Sequence, residues 1–382
     1  MTVRQVYFDN AATTYPKPPN VAEAVKMAVE RHGGNPGRGG HRFSQNAAEM
    51  VYKVRAQAAK LFAAEPENVA FTGNCTHALN LAIKGVARPG DRIVISSMEH
   101  NSVARPAYAL SKQGVRVDVA AIGRSDAETI ENFRALIRSD VRCVIMTAAS
   151  NVTGRLNPVR EVAGLCREHG VCFIVDGAQA CGIVPLSLKD GMNFLCTAGH
   201  KGLYGPTGTG LLISDGAYSL RTIIEGGTGA TSGELEQTGF MPERLESGTV
   251  NTVGIAGLGA GMTYIQEMGM SRIRAHEDEL CRMLIDGLKT VDGAVIYRRG
   301  EHFVPIVSFN IEGISAPALA HALASEGYAL RGGLQCAYLA HRTLGTLPDG
   351  TVRFSPSAFS SERDVAGMVN TLKKLSKQMP RS

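Results

Sequence analysis

Between about residues 68 and 215, seven short apolar runs alternate with helix-forming stretches, and few architectures accommodate that order. The runs Val69–Phe71, Arg92–Ser97, Val115–Ile122, Cys143–Ala148, Val171–Val175, Phe194–Thr197 and Gly210–Ser214 read as strands. Helices fill the gaps, as in Asn157–His169, where Val159, Val162, Ala163 and Cys166 share one face. The pattern predicts a large α/β domain built on a mostly parallel seven-stranded sheet with helices on both faces. After Gly254 the character changes. A long helical stretch to about Leu288 precedes a strand at Ile306–Ile311, a helix at Pro317–Glu326 and a terminal helix from Glu362, which together read as a smaller C-terminal α+β domain. At 382 residues the chain suits two domains of ordinary size, with residues 15–253 as the large one and 254–382 as the small one.

Composition narrows the function classes. A net charge of +5, spread without a basic stripe, argues against nucleic-acid binding. No apolar run approaches the roughly 20 residues that cross a bilayer, and the N-terminus lacks a signal-peptide core, so the expectation is a cytoplasmic protein with no membrane contact. The eight cysteines are scattered, with no Cys-x-x-Cys pair and no Cys/His cluster at zinc spacing. Neither a disulfide framework nor a metal site is expected.

Two residues point to chemistry. Val171–Val175 ends at Asp176, at the C-terminal edge of a parallel strand, where ligands bind in open α/β sheets. A short crossover later comes Lys201, in Thr197-Ala198-Gly199-His200-Lys201-Gly202. A lysine that can form a Schiff base and a carboxylate that can keep a pyridine nitrogen protonated are what pyridoxal 5'-phosphate requires. Alone, the Asp reads as a turn or cap and the Lys as a solvated loop cation. Other segments tip the balance.

Phe71-Thr72-Gly73-Asn74-Cys75-Thr76 follows a strand and opens a helix, where free backbone N–H groups and the Thr76 hydroxyl can hold a phosphate. Glu99-His100 ends the next strand, and an imidazole there can stack on a cofactor ring and move protons. Asn151 and Gln179 can bond a phenolic oxygen from two sides. Cys336 sits in the Gly-rich loop Leu330–Ala337, which suits an accessible thiol, with a buried structural cysteine as the other reading. Arg353, in a short strand, suits a carboxylate, with a local salt bridge as the alternative. Gly205–Gly210 has a glycine rhythm but precedes a strand, so it is a turn after Lys201 and no nucleotide loop.

The ordered set resembles the class V aminotransferase family, and within it the cysteine desulfurases and selenocysteine lyases. Tyr7-Phe8-Asp9-Asn10-Ala11-Ala12-Thr13-Thr14, Asp176-Gly177-Ala178-Gln179, Gly199-His200-Lys201, Gly226–Gly229, Leu245–Asn251, Gly332–Ala337 and Arg353 carry the resemblance. It implies a fold type I pyridoxal 5'-phosphate enzyme and a homodimer with active sites at the subunit interface. Lys201, Cys336 and His100 are the implied catalytic residues. Cys75, Thr76, Asn151, Asp176, Gln179 and His200 would surround the cofactor, with Thr249 reaching across the dimer. Asn10, Ala11, Asn151 and Arg353 would meet the substrate, and the segment 1–14 would pack near the site.

The implied reaction converts L-cysteine to L-alanine and leaves the sulfur on Cys336 for a sulfur-acceptor protein. L-selenocysteine as substrate, a cysteine sulfinate desulfinase or another class V lyase or aminotransferase is the alternative. Outside that class stand a non-catalytic scaffold and a nicotinamide dehydrogenase, the latter weakened by the lack of a glycine fingerprint after the first strand. Three positions depart from the family pattern: Ala198 for a hydroxyl residue, Gln335 for a histidine, and Ser360 for an asparagine.

Overall fold

The computed structural model describes residues 4–37, 39–229 and 231–381, so Met1, Thr2 and Val3 of the N-terminal segment, and Ser382, lie outside the described residues. The short β1 (Val6–Tyr7) leads into two long helices, α1 (Pro19–Arg31) and α2 (Arg42–Phe62). The seven anticipated strands follow as β2 (Val69–Thr72), β3 (Arg92–Ser96), β4 (Arg116–Ala120), β5 (Val141–Thr147), β6 (Cys172–Asp176), β7 (Phe194–Ala198) and β8 (Gly210–Ser214). Helices α3 (Cys75–Val86), α4 (Asn101–Ser111), α5 (Asp126–Leu136) and α6 (Val159–Glu168) separate the first five of these.

All seven form one sheet in the order β2-β8-β7-β6-β5-β3-β4. The five strands from β7 to β4 run parallel. β8 opposes both of its neighbours, which makes the sheet mixed. The reason is the connection: Gly199–Thr209 joins β7 to β8 without a helix, whereas a parallel return needs a crossover of about a dozen residues or more. β6 is buried along its whole length. Its Phe173 and Val175 enter one core and its Cys172 and Ile174 another, as strand alternation requires when helices cover both faces.

The helical stretch beyond residue 250 is two helices, α7 (Thr252–Met268) and α8 (Met270–Leu288). Gly269 divides them with a φ of 82°, a backbone state that ends a helix. α7 packs on α1 and α2, and its Ile255, Leu258, Met262 and Ile265 join the larger core. A Cβ at Gly261 would collide with the Leu203 carbonyl oxygen, so α7 rests directly on the turn that carries Lys201.

The remaining elements are β9 (Ala294–Ile296), β10 (Val307–Ile311), α9 (Ala316–Ser325), β11 (Tyr328–Ala329), β12 (Arg331–Gly333), α10 (Tyr338–Leu344), β13 (Thr351–Phe354) and α11 (Glu362–Gln378). β12, β13, β10 and β9 form an antiparallel sheet whose apolar face is covered by α8, α9 and α11 through Leu284, Leu319 and Leu372. β11 pairs with β1, which ties the N-terminus to this second layer. Among the described residues no helix is long and apolar enough to cross a membrane.

This layout selects a place for a ligand. β3, β5, β6 and β7 end at the same edge of the large sheet. From β3 the chain leaves toward β4, and from β5 it leaves the other way toward β6. The crevice between those strand ends is a topological switch point.

Candidate active site

A cavity of about 200 Å³ opens at that edge, and Ala11, Cys75, Thr76, His100, Asn151, Asp176, Gln179, His200, Lys201 and Arg353 all line it. Four of them ride on strand ends. Asp176 closes β6, His100 follows β3, Asn151 follows β5, and Lys201 follows β7. Cys75 and Thr76 occupy the first turn of α3, which Asn74 caps by accepting the His77 N–H at 2.9 Å.

Burial sets the protonation states. Asp176 Oδ1 accepts the Ala178 N–H at 2.9 Å and lies 3.5 Å from Cys75 Sγ. Loss of water raises this carboxyl above its ordinary range, while the Ala178 bond, the Lys201 charge and the Cys75 thiol oppose the rise. The same desolvation lowers Lys201, with Asp176 and Cys75 opposing and Arg353 and Arg331 adding to it. His100 falls to about 4 through burial, reinforced by Lys201, Arg331, Arg353 and Arg105. Its Nδ1 accepts the Ser102 N–H at 3.0 Å and caps α4, so the neutral ring carries its proton on Nε2. His200 also falls to about 4, mainly by burial, and its Nδ1 is buried without a partner.

Arg353 also lines the cavity and is 1% exposed. Nη2 donates to Asp9 Oδ1 at 2.7 Å and Nη1 to the Asn151 carbonyl at 3.0 Å, while Nε is buried without a partner. Asn151 Nδ2 donates to the Gln335 carbonyl at 2.8 Å, and Gln179 Nε2 donates to the Ala11 carbonyl at 2.9 Å. Each amide nitrogen keeps a second hydrogen for other use.

Three expected residues fall elsewhere. Cys336 is exposed and lines an adjoining cavity that shares Thr76, His100 and Ser102 with the first. Thr249 lies in a separate cleft, where its hydroxyl accepts from Asn35 Nδ2 at 3.2 Å, so one chain alone does not bring it to Lys201. Asn10 stands behind the cavity, its Nδ2 donating to the Ser355 carbonyl at 2.9 Å and its Oδ1 accepting the Tyr15 N–H at 3.1 Å. Those internal bonds satisfy both ends of the amide, and the following Ala11 and Ala12 are what reach the lining.

Other residues escape a reading of the sequence. Arg331 lines the cavity and places Nη2 3.2 Å from Cys336 Sγ; its spacing of five residues from the cysteine in one short loop is the available signal. Ser102 lines both cavities, with its hydroxyl 2.9 Å from Thr76 Oγ1 and 2.6 Å from His100 Nδ1. It supplies a hydroxyl where Ala198 offers none, while Thr197 is buried beneath. Glu99 is fully buried under His100, accepting from Ser96 Oγ at 2.5 Å and the Thr147 N–H at 2.8 Å, and burial pushes it up to about 8.

The aminotransferase class-V family matches residues 6–368. A probable cysteine desulfurase of Xylella fastidiosa is 31% identical over 97% of this chain and 91% of that relative. One of Pyrococcus abyssi is also 31% identical, over 99% of this chain and 96% of the relative. Among solved structures, a cysteine desulfurase from Thermococcus onnurineus superposes with a TM-score of 0.89 at 29% identity, covering 98% of this chain and 95% of its own. Matched along nearly its whole length in both sequence and fold, the chain belongs to the class V aminotransferase family.

Proposed function

We propose that the chain is a pyridoxal 5'-phosphate-dependent cysteine desulfurase that converts L-cysteine to L-alanine and takes the sulfur on Cys336 as a persulfide. The carrying observation is one cavity in which an amine, Lys201, and a carboxylate, Asp176, sit at neighbouring strand ends, both driven toward their neutral forms by burial.

This donor set fits the cofactor. A cationic ring nitrogen beside Asp176 would offset the cost of burying that carboxylate. Lys201 would hold the aldehyde carbon, and Asn151 and Gln179 have a free amide hydrogen each for the phenolic oxygen. Thr76, Ser102 and the unpartnered His200 Nδ1 would meet the phosphate at the helix starts, with Thr249 reaching it from the second subunit of a cytoplasmic homodimer. When bound, the cofactor supplies an electron sink next to the substrate α-carbon.

The chain's own groups do the rest. Arg353 grips the substrate carboxylate through its charged N–H groups. Lys201, as a neutral amine, removes the α-proton. His100 offers its Nε2 proton to the reacting centre. Cys336 attacks the substrate sulfur, forming an S–S bond as the Cβ–S bond breaks, and the Cβ carbon takes a proton. Cysteine plus the Cys336 thiol thus become alanine plus a persulfide, with no other reactant.

The test compares wild type, Lys201→Ala and Cys336→Ala after loading with the cofactor. Lys201→Ala is expected to lose the visible absorbance and alanine formation. Cys336→Ala is expected to keep the absorbance and lose persulfide. Undiminished alanine release in Cys336→Ala would remove the persulfide step, and undiminished release in Lys201→Ala would remove the whole reading.

A further inference from the structure

The cavity that holds Cys336 has about 330 Å³, near the lower end of the roughly 300–1,000 Å³ range of small-molecule pockets. Its charge is one-sided. Lys84 and Arg105 line it, no Asp or Glu among the described residues does, and Arg331 adds a guanidinium 3.2 Å from the cysteine sulfur. Arg105 is exposed and Lys84 half-buried, so both face a wet space that an anion can enter.

The cysteine itself is anchored. The Cys336 carbonyl accepts the Asn101 N–H at 2.8 Å, and the Gln335 carbonyl accepts Asn151 Nδ2 at 2.8 Å. The Gln335 side chain is buried, donating to the Thr351 carbonyl at 2.6 Å and accepting from His341 Nε2 at 2.8 Å. Gln335 and Cys336 both hold positive φ angles, of 42° and 57°, within this clamp. A sulfur fixed in this way is reached by its acceptor and is not carried out to it.

We propose that this outer cavity is an acceptor site for an anionic small-molecule sulfur nucleophile, with sulfite as its simplest form, held by Lys84 and Arg105 against the Cys336 persulfide. The proposal rests on the desulfurase reading. The sulfite sulfur lone pair attacks the terminal sulfur of the persulfide anion. An S–S bond forms in thiosulfate, the S–S bond to Cys336 breaks, and its electron pair stays on the Cys336 thiolate. One neutral sulfur atom moves, total charge is conserved, and no external oxidant or reductant enters.

Two arms test this. The first needs no turnover: Cys336 is alkylated with iodoacetate, an anion, and with iodoacetamide, its neutral counterpart, in wild type and in Lys84→Gln/Arg105→Gln. The other seven cysteines are buried, and peptide mass identifies the product. The iodoacetate-to-iodoacetamide rate ratio is expected to fall by about fivefold in the double variant, with the iodoacetamide rate unchanged. Arg105→Gln alone, at an exposed position, gives a smaller fall in the same direction and covers poor folding of the double variant. In the second arm the loaded enzyme receives cysteine, then either sulfite or uncharged 2-mercaptoethanol. The alanine burst and transfer to 2-mercaptoethanol should match wild type, while thiosulfate formation falls about fivefold.

An unchanged alkylation ratio, or thiosulfate formation indifferent to both cations, overturns the acceptor site alone. A wild type with no alanine burst overturns the desulfurase reading and the acceptor role together, and the alkylation ratio then decides whether the cavity selects anions at all.

Discussion

The two adjoining cavities are built by different means. The Lys201 cavity takes its key groups from strand ends and buries them, so Asp176, Lys201, His100 and His200 are all shifted toward neutrality. The Cys336 cavity is made between α3, α4 and a loop, and its cations stay in contact with water. The contrast teaches a division of labour. Proton transfers need fixed, desolvated groups, which a sheet edge provides, whereas recruiting a charged reactant needs only a local field.

That contrast can be broken at several points. Lys201→Ala should have the largest effect, lowering alanine formation at least about a thousandfold, since no other group in the cavity replaces both its bond and its proton transfer. Next, Arg353→Gln should raise the KM for cysteine by roughly ten- to a hundredfold while leaving the visible absorbance in place, the cost of losing a charge-assisted grip. Steady-state kinetics over a wide substrate range checks this. A KM within twofold of wild type would reassign the carboxylate site.

Gly261→Ala tests whether α7 holds the Lys201 turn. With no room for a Cβ against the Leu203 carbonyl, it should cost about 1–3 kcal/mol in denaturant titrations and weaken cofactor retention. Glu277 offers a pH signature from the buried side. It accepts from Tyr204 Oη at 3.3 Å, and burial raises it from an ordinary 4.5 to about 8. Between those values the folded state holds the extra proton, so its contribution to stability falls as pH rises, by about 1.4 kcal/mol per pH unit for a single group. Glu277→Gln should flatten the stability curve between pH 5 and 8, as followed by thermal melts. The smallest effect belongs to the outer cavity: raising salt from about 0.05 to 0.5 M should slow iodoacetate at Cys336 by roughly two- to threefold and leave iodoacetamide unaffected.

Much of this architecture is legible in the chain. Most of the strands stand out because they are buried on both faces and read as apolar runs, the half-exposed edge strand β4 being the exception, and Lys201, Asp176, His100 and Asn151 follow at the strand ends where ligands gather. The direction of β8 is not legible from its own residues, because it is decided by the short Gly199–Thr209 connection. The division between α7 and α8 hides at one glycine in a sequence that is otherwise helical on both sides. Ser102 is inconspicuous because its contact with Thr76 forms only across the fold, and Arg331 because its contact with Cys336 depends on how their shared loop is folded. Thr249 and Asn10 show the converse. Their segments resemble family motifs, but position alone does not say that one faces a different cleft and that the other has its amide satisfied internally.

In the proposed function the Lys201 amine holds the cofactor covalently with Asp176 beside the ring. Loading the protein with pyridoxal 5'-phosphate, reducing it with borohydride and mapping the modified peptide by mass spectrometry puts that bond to the test. One stable adduct is expected, on Lys201, formed by wild type and absent from Lys201→Ala. An adduct confined to another lysine, or none at all while the protein remains folded, would contradict it.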